Sequence, residues 1–171
     1  MRILVALCAV PLLLCACKRG SSGSLKEPIN GAFGWALGSR LPAAFEVQTN
    51  AGLLRYVDPR GKVTPFEHVV LDLTTNRTIF SITGTLGQAS PETFQSVEKS
   101  LTAALNEKHD FRRKTADPKG TTLYYGNDAR EAILVIGAET RTLALCYRDT
   151  DLARQAQQET MALNNSAPVV K

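Results

Sequence analysis

Apolar residues occupy every second position in the middle of the chain. Val69, Leu71 and Leu73 follow this period, residues 75–77 have the composition of a turn, and residues 79–83 return with further apolar side chains. Side chains two positions apart on a strand point to the same face of a sheet. The pattern therefore predicts a β-hairpin with one buried face.

A helical period follows the hairpin. Ser90 precedes Pro91 and an acidic residue, which is the combination of N-cap, first-turn proline and favourable charge found at helix starts. Apolar residues then recur at steps of three or four over residues 94–105. The spacing predicts a helix over residues 91–109 with one apolar stripe.

Further strands are predicted on both sides of this helix. They lie near residues 45–47, 54–56, 111–115, 121–125, 132–136 and 142–147, and a last helix is predicted over residues 150–162. Connections this short require antiparallel neighbours. The order predicts one α+β domain in two layers, with a mostly antiparallel sheet of about 5–7 strands and both helices on one face.

The composition agrees with one globular domain. Of the 171 residues, 44% are hydrophobic and 21% are charged, and the chain contains 12 glycines and 8 prolines. These values exclude a disordered chain and a collagen-like polymer. We find no sequence repeat of fixed period.

The first residues differ in composition from the rest of the chain. Residues 3–15 are apolar except for Pro11, and Arg2 provides a short positively charged start. A membrane-spanning helix needs roughly 20 apolar residues. This segment is therefore predicted to be a signal peptide.

The end of the apolar segment carries a specific motif. Leu14-Cys15-Ala16-Cys17 resembles the lipobox of bacterial lipoproteins, in which a cysteine after a small residue is alkylated with diacylglycerol and becomes the mature N-terminus. The resemblance implies lipidation at Cys17. Because Lys18 follows instead of aspartate, it also implies the periplasmic side of the outer membrane, with the inner membrane as the alternative. A general secretory signal cleaved at the same bond would instead leave an ordinary thiol at Cys17.

Small polar residues follow this motif and predict a linker. A coil of some 13 residues has a root-mean-square span of roughly 20 Å. The predicted organisation is a signal peptide (1–16), a lipidated N-terminus with a flexible linker (17–31), a single α+β domain (32–163) and a flexible tail (164–171).

Few residues suggest catalysis. His68 precedes the hairpin, His109 ends the long helix, and neither lies at a spacing typical of a metal site. Cleavage and lipidation would leave Cys146 as the single free thiol, so no disulfide is expected. No catalytic, metal-ligating or cofactor-binding residue is predicted, and no cofactor is expected.

A basic cluster follows the long helix. It consists of Arg112, Arg113 and Lys114, and removal of the signal peptide would leave 19 basic against 16 acidic side chains in the chain. This balance is far from that of a nucleic-acid surface, so no nucleic-acid partner is expected. The cluster is a candidate patch for an anionic lipid, a glycan or an acidic protein. The alternative is a strand edge that its charges protect from aggregation.

Taken together, these features predict a lipid-anchored protein of the bacterial cell envelope. The leading hypothesis is a non-enzymatic binding or adaptor module for another envelope component. Anchoring would raise its effective concentration at a membrane partner. The alternatives are a small periplasmic hydrolase with a dispersed active site and an inhibitor or immunity lipoprotein.

Overall fold

The computed structural model describes residues 26–50, 52–59 and 64–166, and the predicted signal peptide and Cys17 lie outside them. The described residues form short and long strands together with two helices. These are β1 (Gly31–Ala32), β2 (Trp35–Ala36), β3 (Gln48–Asn50), β4 (Leu53–Asp58), β5 (His68–Leu73), β6 (Ile79–Leu86), α1 (Pro91–Lys108), β7 (Phe111–Asp117), β8 (Gly120–Gly126), β9 (Arg130–Gly137), β10 (Thr142–Asp149) and α2 (Thr150–Ser166).

Eight strands form one antiparallel sheet in the order β3-β4-β5-β6-β10-β9-β8-β7. Strands β3–β6 form one half of the sheet and β7–β10 form the other, and a helix follows each half in the chain. The predicted α+β class and the mostly antiparallel sheet are confirmed. The sheet has more strands than expected, in part because β3 is only three residues long and too short to show a period.

Helix α1 begins as its sequence predicts. The Ser90 hydroxyl accepts a hydrogen bond from the Thr93 N–H at 3.3 Å, and Pro91 is in the first turn. The helix ends at Lys108, one residue before the predicted end, because the backbone of His109 is extended. Its apolar stripe faces the sheet.

The main core lies on one face of the sheet, which we name the core face. Leu71, Ile82, Leu134 and Leu145 point into it from β5, β6, β9 and β10. Helix α1 packs over β9 and β10 on this face. The segment before β3 fills the remainder and contributes further apolar side chains to the same core.

Helix α2 lies on the opposite face, which we name the α2 face. Phe80 and Arg148 line a pocket with α2, whereas Tyr147, the neighbour of Arg148 on β10, packs against the core. The expectation that both helices share a face is therefore wrong. The N-terminal segment already occupies the core face beside Tyr147, where Phe33 contacts its ring. Helix α2 begins directly at the end of β10 and takes the free face.

The folded domain extends beyond both of its predicted boundaries. Ile29 is buried, and the Lys26 amine donates hydrogen bonds to the carbonyls of Asn106 and Glu107 at the end of α1. Residues 26–31, which the composition assigned to the linker, thus contact the domain. Helix α2 extends to Ser166, into the predicted tail. Neither of the helices described is long and apolar enough to cross a membrane.

Candidate interaction surface

Strand β7 forms one edge of the large sheet. It pairs with β8 on one side, and among the described residues no strand lies on its other side. All seven of its residues are exposed. Its outer backbone N–H and C=O groups therefore have no strand partner, and they form a row that another extended chain could pair with.

A bulge in β7 decides where the predicted basic residues point. Phe111 pairs with Tyr125 and Arg113 pairs with Tyr124, so Arg112 is an extra residue in the strand. The Arg113 guanidinium lies 4.0 Å from the centroid of the Tyr124 ring, on the α2 face. Lys114 points to the core face. The three residues do not form one patch, because Arg113 and Lys114 occupy successive strand positions and project to opposite faces.

The three basic residues also differ in their ion pairs. Arg112 forms ion pairs with Asp128 and, at 3.6 Å, with Glu131. Among the described residues, Arg113 and Lys114 form no ion pair. The edge therefore carries two positive charges outside any ion pair of the described residues, one on each face of the sheet, and Glu98 of α1 lines the same groove as Lys114.

An open groove runs beside this edge on the core face. Helix α1 packs chiefly over β9 and β10, and the groove separates it from β7 and the near part of β8. The groove has a volume of about 450 Å³. Its lining includes Phe111, Lys114, Leu123 and Tyr125 from the sheet, together with Glu98 from α1.

The floor of the groove contains an aromatic pair. Tyr125 is fully buried, and burial raises the pKa of its phenol. Phe111 stands above it with 53% of its surface exposed, and the two ring centroids are 5.6 Å apart in an edge-to-face arrangement. An exposed phenylalanine over a buried apolar floor provides a place for a second apolar side chain.

The two histidines lie apart and have different environments. His109 is buried at the end of α1, where Nδ1 lies 2.9 Å from the carbonyl oxygen of Glu27. His68 is exposed at the start of β5. Cys146 is half-buried on the α2 face with its Sγ 3.5 Å from the Ser81 hydroxyl. In the part of the chain that the structure describes, no group of three potential ligands could hold a metal ion.

Trp35, Tyr124 and Tyr125 do not form one aromatic patch. Trp35 donates a hydrogen bond from Nε1 to Asp58 at 2.9 Å, beside β4. Tyr124 lies under Arg113, and Tyr125 points into the core. Sequence reasoning missed the groove. Its one local signal is Phe111, a large apolar residue at the start of an otherwise polar strand.

Comparison with known proteins found no match. No protein-family model, no curated protein and no solved structure is significantly similar to the chain.

Proposed function

We propose that this protein is a lipid-anchored binding module of the bacterial envelope, attached through Cys17, and that it presents β7 and the adjacent groove to another envelope component. The supporting observation is the edge strand itself, which is seven residues long and exposed throughout. Edge strands are templates for another chain, and many proteins shorten or cover them. Several recognition domains use such an edge to bind an extended segment.

The position where the chain enters the domain supports this proposal. The Glu27 N–H donates a hydrogen bond to the carbonyl oxygen of Lys108 at 2.7 Å, and β7 begins three residues after Lys108. Nine residue steps separate Cys17 from Lys26, and nine residues span at most about 30 Å. A lipid anchor at Cys17 would therefore hold this end of the domain close to a membrane, where a neighbouring envelope component could reach β7.

Lipid anchoring is tested by replacing the proposed lipidated residue. The variant Cys17→Ser should lose palmitate labelling and leave the membrane fraction, whereas Cys146→Ser should retain both. Unchanged labelling of Cys17→Ser would contradict the anchor.

The binding role is tested by photo-crosslinking in intact cells. A benzophenone amino acid at Thr115, in the exposed edge, should give a discrete crosslinked complex. The same group at Gln158, exposed on α2, is the matched control and should not give that complex. If neither position crosslinks while the protein is correctly anchored, the adaptor function is wrong. Hydrolytic turnover by the anchored protein would then favour the alternative enzyme.

A further inference from the structure

We infer that the β7 edge binds an extended acidic segment of a partner protein, which pairs with β7 as an additional strand. This inference rests on the proposed function for the existence of a partner, and it adds the chemistry and the mode of recognition. The required features are an unpaired backbone edge, two cations that form no ion pair with the described residues, and a groove with an apolar floor.

The positions of the two cations favour a bound strand over a flat membrane surface as the ligand. Arg113 projects on the α2 face and Lys114 on the core face, although they are neighbours in sequence. A bilayer is a plane and cannot lie against both faces of a sheet. A bound strand also projects successive side chains to opposite faces, so two adjacent acidic residues can meet both cations. Charge complementarity across the edge therefore selects an acidic strand.

The groove adds a requirement on the core face. Lys114 and Phe111 both line it, and Leu123 and Tyr125 form its apolar floor. Residues two positions apart on a strand project to the same face. A partner residue two positions from the acidic residue that faces Lys114 would therefore project into this groove. The preferred segment thus combines an adjacent acidic pair with apolar residues at alternate positions.

A second copy of this chain fits the edge less well. Full antiparallel pairing of residues 111–117 with the same residues of a copy places Lys114 opposite Lys114. Like charges directly opposite each other destabilise a strand pair. The same charges that disfavour self-pairing would attract an acidic partner.

The test uses the full chain in non-ionic detergent and a fluorescent peptide of the same length as β7, seven residues. The peptide alternates threonine and valine around an adjacent pair of glutamates near its centre, and its control carries a pair of lysines instead. Fluorescence anisotropy should detect binding of the acidic peptide and no binding of the basic one. Equal binding of the two peptides, or none of the acidic peptide, would overturn the inference.

A charge reversal in the protein locates the site. Lys114→Glu replaces an attraction with a repulsion and should weaken peptide binding about tenfold or more. The matched control is Arg154→Glu, which makes the same change of charge at a side chain that is 68% exposed on α2. The control should keep the original affinity. An equal loss in both variants would show a non-specific charge effect and would contradict the site.

Backbone pairing between the peptide and β7 is tested separately with N-methylated peptides. Two versions of the acidic peptide carry N-methyl groups at alternate residues, in opposite phases. Only every second N–H of a strand faces one neighbour, so one version should lose binding and the other should keep it. Equal affinities for the two versions would exclude strand addition.

The remaining outcomes separate this inference from the function on which it rests. If vesicles containing phosphatidylglycerol bind through Lys114 and the acidic peptide does not, the edge is a lipid site and the inference is wrong. If a partner crosslinks at Thr115 in cells but the acidic peptide does not bind, the adaptor function stands and the acidic strand is wrong. Binding of the acidic peptide without a crosslinked partner would support the site and contradict the cellular role.

Discussion

Substitution of Glu131 by glutamine tests the ion cluster that neutralises part of the β7 edge. The Glu131 carboxylate accepts a hydrogen bond from the Arg148 Nη2 at 2.8 Å and lies 3.6 Å from the Arg112 Nη1. Only 9% of Glu131 is exposed. Glutamine preserves the size of the side chain but leaves the two guanidinium groups without this negative charge.

The expected cost follows from how far each group is buried. Removal of one partner of a fully buried ion pair costs about 3–5 kcal/mol. The Arg112 and Arg148 side chains are 36% and 40% exposed. Hydration of their guanidinium groups therefore offsets part of this cost. Arg148 Nε is already buried without a hydrogen-bond partner among the described residues. We expect Glu131→Gln to lower the free energy of unfolding by about 2 kcal/mol and the Tm by about 4–8 °C.

Urea denaturation at neutral pH measures this effect. The control Glu139→Gln changes an exposed residue and should stay within about 0.5 kcal/mol of the original protein. A double-mutant cycle with Arg148→Met should show coupling, because Glu131→Gln costs less when one of its cations is already absent. Equal costs of Glu131→Gln in the two backgrounds, or no cost in either, would refute this account of the cluster.

Two further predictions concern packing and pH dependence. A Cβ on Gly84 would lie 2.7 Å from a ring carbon of Phe33, so Gly84→Ala should destabilise the protein by about 1–3 kcal/mol; an unchanged urea midpoint would contradict this. Hydrogen bonds from the Thr75 backbone, the Gln155 amide and the Thr75 hydroxyl lower the pKa of Glu159 below its ordinary value of 4.5. The ionised carboxylate then contributes stability above that value, which is lost as the pH falls through the folded-state pKa. Glu159→Gln should reduce this acid-side loss in urea midpoints, and an identical pH profile would disprove the contribution.

Local signals in the sequence determined the principal elements. Alternation over residues 69–83 predicted the hairpin that β5 and β6 form, and Ser90 with Pro91 predicted the start of α1. These features depend on residues that are close along the chain, because strand period, helix period and capping are set within a few positions. Their physical causes were therefore visible before any tertiary contact was known.

Only part of the candidate surface could be predicted in this way. The sequence identified Arg112, Arg113 and Lys114 as a basic cluster on a predicted strand. It could not show that a bulge places Arg112 on the same face as Arg113, opposite Lys114, or that Arg112 is paired with Glu131, 19 positions along the chain. Those facts depend on strand register and on the placement of β9, which local composition does not encode.

The faces of the sheet were likewise decided by tertiary structure alone. The N-terminal segment packs on the core face, α2 takes the opposite face, and α1 packs chiefly over β9 and β10, which leaves a groove beside β7 and β8. The exposed edge and its groove result from these three placements together. The sequence by itself determined the longer strands and the two helices, and that a basic strand follows α1. Long-range packing decided which faces are covered, because burial is a property of segments that meet in space rather than along the chain.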